Sequence, residues 1–155
     1  MQVELAGRSW LTGQLVRSGL EVARPERDRG IDLIVYRDRA DEGDQRFTAY
    51  PIQMKAAMSE VFSLDPKYEY IPRLIMVYVW HLWKSSKTIC YAMTYPEALQ
   101  IAEEMGYTKT ASWMTGAKTH KRGYSTTKPS KRLKLLLRSH LMTPRKWEDL
   151  VNDSI

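Results

Sequence analysis

Two short stretches of this chain carry polar side chains where a buried strand would be apolar. The first reads Gly30-Ile31-Asp32-Leu33-Ile34-Val35-Tyr36, and the second Tyr50-Pro51-Ile52-Gln53-Met54-Lys55-Ala56. Asp32 is a lone acid entering an apolar run. Gln53 and Lys55 lie two residues apart, so on a strand they share a face. If the two strands pair, a carboxylate, an amide oxygen and an ammonium group converge on one spot. Hard divalent cations accept charged and neutral oxygen ligands alike. Such a set can hold a divalent metal and the phosphate of a nucleic acid together. For any one of these residues, the plainer reading is a cross-strand Asp32–Lys55 ion pair on a solvent face, worth under about 1 kcal/mol. Their conjunction behind an amphipathic helix favours the site.

The elements that must position these groups follow from periodicity and punctuation. Residues 3–18 read as a helix with Val3, Ala6, Trp10, Leu11 and Leu15 roughly on one face, closed by Gly19. Strands are expected over 20–24, 33–37 and 47–55, with a polar loop or hairpin tip at 38–46. Pro51 lacks a ladder donor and predicts that the third strand is an edge or carries a bulge. Within residues 59–72, Pro66 and Pro72 bracket residues 67–71, which read as a short helix or an ordered loop. Residues 74–83 read as a buried strand, with 88–93 as its hairpin partner. Thr94 followed by Pro96 and Glu97 is a capping-box start for a helix that stops at Gly106. Residues 107–129 read as mostly loop and 130–141 as a helix. A last short helix opens at Pro144, with Trp147 expected in the core. The chain is therefore expected to be mixed α/β.

At this point the chain resembles the PD-(D/E)xK nuclease superfamily, in its restriction endonuclease-like and Holliday-junction resolvase-like branches. An N-terminal helix with a glutamate precedes a strand with Gly-Ile-Asp and a strand with Gln-Met-Lys. The likeness covers residues 1–60 well and extends loosely to the strand at 74–83. It implies a mixed central β-sheet flanked by helices, with a nuclease-like core over 1–106. The basic loop-and-helix region, 107–155, would pack on the same domain. It implies Mg²⁺ or Mn²⁺ held by Glu4, Asp32, the Gln53 oxygen and the Met54 backbone carbonyl. Lys55 would orient the attacking water or stabilise the phosphorane charge. The implied activity is endonucleolytic hydrolysis of DNA, including branched or junction DNA, by a homodimer. Gln53 replaces the usual acid and removes one negative charge, which favours a non-catalytic nucleic-acid-binding protein on the same fold as the alternative.

Charge distribution bears on the partner independently. The chain of 155 residues carries a net charge of +6, with no acid between Glu104 and Glu148 but eleven bases. The remainder has 13 bases against 18 acids, a balance of −5. A basic block on a mildly acidic body suggests a polyanion, nucleic acid first and an anionic membrane second. Lys118, Lys121, Arg122, Lys128, Lys131 and Arg132 are the expected backbone contacts. Arg8, one turn after Glu4, is expected either to grip a phosphate or to pair with Glu4. Tyr107, Trp113, Tyr124 and Trp147 interleave with these bases, and aromatic rings stack on nucleobases. A protein-interaction module meeting an acidic partner is a third reading of the same block.

Other chemistries are disfavoured. The glycines at Gly7 and Gly13 have no following Lys-Ser/Thr, so they form no phosphate loop. His81, His120 and His140 are far apart in sequence with only Cys90 to join them, which argues against a zinc site. Ser9, Ser59 and Ser63 lack a His-Asp arrangement. With one cysteine there is no internal disulfide, and with no signal-like N-terminus a reducing, cytoplasmic setting is expected. No apolar run reaches the length of a membrane span.

Overall fold

Helix α1 (Val3–Arg17) is followed by three strands, β1 (Glu21–Ala23), β2 (Leu33–Tyr36) and β3 (Ala49–Ala56). A computed structural model describes residues 2–27, 29–38, 43 and 47–153. The loop expected over 38–46 therefore lies almost wholly outside the described residues. After β3 the chain forms β4 (Phe62–Leu64), a 3-10 turn (Pro66–Tyr70), β5 (Ile75–Trp80) and β6 (Ile89–Thr94). Helices α2 (Tyr95–Glu104) and α3 (Ala111–Thr115), strand β7 (Tyr124–Thr126), and helices α4 (Lys131–Leu137) and α5 (Pro144–Asp153) complete the chain.

Five strands form one mixed sheet in the order β1-β2-β3-β5-β6. Only β3 and β5 run parallel; the other neighbours are antiparallel. All six residues of β5 are buried, as a central strand covered on both faces must be. On one face Leu33, Val35, Ile52, Met54, Val77 and Val79 pack with Leu11 and Leu15 of α1 and Trp147 and Val151 of α5. On the other, Met76, Tyr78, Trp80 and Met93 pack with α2, α4 and β4. Helix α2 begins with the anticipated capping box: Thr94 and Glu97 exchange hydrogen bonds through side chain and backbone. Among the described residues no helix is long and apolar enough to cross a membrane.

Three sequence expectations are corrected. Pro51 is on neither an edge strand nor a bulge, because β3 lies between β2 and β5. Backbone N–H groups alternate sides along a strand, and that of Met54 points towards β2. The Pro51 nitrogen thus faces β5, whose ladder with β3 starts one residue later, at Ile52↔Ile75. No donor is lost. Residues 107–129, expected mostly as loop, instead contain β7, which pairs with β4 as a separate two-stranded sheet, whereas residues 67–71 do fall largely in a short helix, the 3-10 turn Pro66–Tyr70. The α4 helix ends at Leu137 rather than near 141, passing through a 3-10 turn. The chain then extends so that Met142 N donates to Cys90 O at 2.9 Å, which occupies the outer edge of β6.

Candidate metal centre and its cleft

The site begins as a gap in the sheet. The last β2–β3 pair is Leu33↔Ile52, yet β3 continues to Ala56. Beyond Ile52 no strand among the described residues lies beside β3 on its β2 side. Asp32 fills the first vacancy in the ladder. Its N–H donates to Ile52 O at 2.8 Å, and its Oδ2 accepts from Met54 N–H at 2.7 Å. A carboxylate thus replaces a strand carbonyl. That short, charge-assisted bond fixes Asp32, which is 8% exposed, at the mouth of the gap. The Met54 carbonyl lies on the same side of β3 as its N–H, so it too faces the gap.

Gln53 and Lys55 pair in register with Met76 and Tyr78 of β5 and project from the same face as those core residues. Gln53 is 5% exposed. Its Oε1 is buried and has no hydrogen-bond donor among the described residues. A buried acceptor left this way costs about 1–3 kcal/mol unless something arrives to satisfy it. Lys55 is half-buried beside it.

Glu4 comes from the opposite layer. A Cβ on Gly7 would stand 2.7 Å from Ala56 Cβ and 3.1 Å from Met54 Cε. The missing side chain lets α1 lie directly on β3, and Glu4, nearly one turn earlier, reaches the cleft. Its carboxylate is 63% exposed and sits 3.7 Å from Arg8 Nη1. This exposed pair is worth at most about 1 kcal/mol. Arg8 does not itself line the cleft.

Glu4, Asp32, Gln53, Met54 and Lys55 all line one cleft of about 950 Å³. Sequence reasoning missed its other wall, formed by Arg29, Gly30, Lys67 and Tyr68. Gly30 has φ +91°, and a Cβ there would stand 2.7 Å from Tyr68 Cε1. The Tyr68 ring therefore packs on the backbone leading into Asp32. Burial is the main cause of a Tyr68 hydroxyl pKa raised above its usual value. Lys67 is anchored by Asp65, whose Oδ1 caps its N–H at 2.9 Å and whose Oδ2 lies 3.6 Å from its Nζ. The sequence Asp65-Pro66 is an N-cap followed by a first-turn proline, which starts this turn.

The basic residues divide into two groups. Lys121 and Arg122 line a second cleft of about 620 Å³ that shares Lys67 with the first. Arg122 Nε donates to Trp113 O at 2.9 Å. Lys118, Lys128, Lys131 and Arg132 are exposed and line neither cleft. Of the interleaved aromatics, Trp147 is 1% exposed in the core, as expected. Tyr107 and Tyr124 stack on each other with ring centroids 3.7 Å apart.

Among the described residues no three His, Cys, Asp or Glu side chains cluster as a metal site. The oxygen set facing the first cleft is two carboxylates, one amide and one backbone carbonyl, which suits a hard cation. No protein-family model matches this chain, and no curated protein or solved structure matches it either.

Proposed function

We propose that this protein is a divalent-metal-dependent endonuclease acting on DNA, on a restriction endonuclease-like fold. One observation carries the reading. The buried Gln53 Oε1, which accepts from no donor among the described residues, belongs to a residue lining the same cleft as Asp32, Lys55 and Glu4. Asp32, Glu4, Gln53 Oε1 and the Met54 carbonyl would hold Mg²⁺ or Mn²⁺. Such an ion, when bound, neutralises charge on the non-bridging phosphate oxygens. The hydrogen bond from Met54 N–H keeps Asp32 oriented before substrate arrives, so little reorganisation remains for the reaction. Lys55 orients the attacking water or stabilises the charge that grows on phosphorus. Lys67 and Arg29 supply cations to neighbouring phosphates. The exposed bases of the C-terminal region hold the DNA backbone without reading sequence. A homodimer in a reducing, cytoplasmic setting belongs to the same proposal.

The second reading, a non-catalytic nucleic-acid-binding protein, draws on the neutral Gln53 and on Glu4 being turned towards Arg8. Nicking of supercoiled plasmid with Mg²⁺ or Mn²⁺ separates the two. The wild type is expected to nick. Asp32→Ala and Lys55→Ala should slow nicking by about a thousandfold and a hundredfold, since several kcal/mol of charge stabilisation are at stake. Equal rates for all three proteins would sink the site assignment. DNA binding in EDTA with no nicking in either metal would establish the non-catalytic reading.

A further inference from the structure

The 3-10 turn Pro66–Tyr70 is a partition with a cleft on each side, and Lys67 lines both. The second cleft differs chemically from a phosphate groove. Its cations, Lys67, Lys121 and Arg122, are matched by three carboxylates, Asp65, Glu69 and Glu103, so its formal charge is zero. Asp65 is committed to Lys67. Glu69 and Glu103 make no ion pair with the described residues. Tyr70, Tyr95 and Trp113 are the aromatic residues that line the cavity. Trp113, 8% exposed, forms part of the wall, and Tyr70, 83% exposed, stands on the rim. The Tyr70 ring is thus presented to solvent at this cleft.

A neutral, planar group with amine hydrogens fits this lining; a bare phosphate does not. We propose that the second cleft takes an unpaired nucleobase of the same DNA strand whose phosphate lies in the first cleft. Tyr70 stacks on the base. Glu69 and Glu103 accept from an exocyclic amine, as carboxylates do from the cytosine amino group. Lys67 holds the phosphate that crosses the partition. The substrate class is then DNA with a single-stranded element beside the cut: a flap, a fork or an overhang. The inference rests on the nuclease reading for the identity of the strand, but its test does not require cleavage.

The test is fluorescence anisotropy in EDTA. The probes are a blunt duplex and the same duplex with a short 3′ or 5′ single-stranded extension of dC, of dT, or of abasic residues. For the wild type, one polarity of dC extension should tighten binding about tenfold over the blunt end, the worth of one stacked base. The abasic extension should lose that gain, and dT, which has no amine, should keep only part of it. Tyr70→Ala should lose the gain for dC and change nothing for the abasic probe. The double variant Glu69→Ala, Glu103→Ala, which removes both acceptors, should bring dC down to dT. Equal wild-type affinity for blunt and extended ends would overturn the proposal. So would a Tyr70→Ala loss that is the same for every probe. If the nuclease reading alone fails, the wild type cuts nothing in Mg²⁺ or Mn²⁺ while the dC preference persists.

Discussion

The walls of the first cleft and the basic stretch between Glu104 and Glu148 are built in opposite ways. Around the cleft, the backbone at Gly7 and Gly30 and the Asp32 carboxylate are tightly held. Gly7 and Gly30 are each closed in by a neighbour at 2.7 Å from where a Cβ would be, and Asp32 is tied to the β3 backbone. In the basic stretch Lys118, Lys128, Lys131 and Arg132 are exposed. The difference separates two tasks. Holding a metal and a water needs geometry fixed in advance, whereas attracting a polyanion needs only charge of the right sign within a Debye length.

If that contrast holds, the two regions respond to mutation in different currencies of measurement. Replacing Lys118, Lys128, Lys131 and Arg132 together by alanine should weaken DNA binding about a hundredfold at moderate salt. The slope of log affinity against log salt should drop by roughly 3 to 4. The nicking rate at saturating DNA should stay within about twofold. A salt slope that does not move would mean that the DNA runs elsewhere. Gly30→Ala should do the reverse, destabilising the fold by about 1–3 kcal/mol through its positive φ and the Tyr68 ring, with an unchanged salt slope. Urea denaturation reads that cost, and full stability would mean that the ring is free to move aside. The smallest effect sharpens the cleft itself. Gln53→Glu restores the missing charge and should tighten Mn²⁺ binding about tenfold in isothermal titration. An unchanged affinity would remove Gln53 from the ion's surroundings.

The sequence revealed those parts of the fold whose cause is local. The α2 capping box and the apolar runs of β2 and β5 each carry their own signature. It also marked Asp32, Gln53 and Lys55, which share one cleft, as polar residues in apolar strands, while Glu4 and the Met54 carbonyl follow only from the nuclease resemblance. What it concealed is non-local. Strands β4 and β7 are three residues each, too short for an alternation, and exist only because Phe62–Leu64 meets Tyr124–Thr126. Lys67 and Tyr68 enter the cleft through the same kind of long-range folding. Pro51 misled because a proline rule about edges is really a rule about which side the missing N–H faces.

The parallel pairing of β3 with β5 obliges the chain to leave the sheet after Ala56 and come back over it before Ile75. That return passes across the face from which Gln53 and Lys55 project. It is fastened there by Tyr78 Oη donating to Ser63 O and Trp80 Nε1 donating to Val61 O, both at 2.7 Å. Floor and roof of the cavity are therefore consecutive in the gene. Inserted or deleted codons between those two strands would re-tailor the roof while every strand pairing below it stayed in register, which makes this one connection the natural place for evolution, or an engineer, to change what the protein accepts.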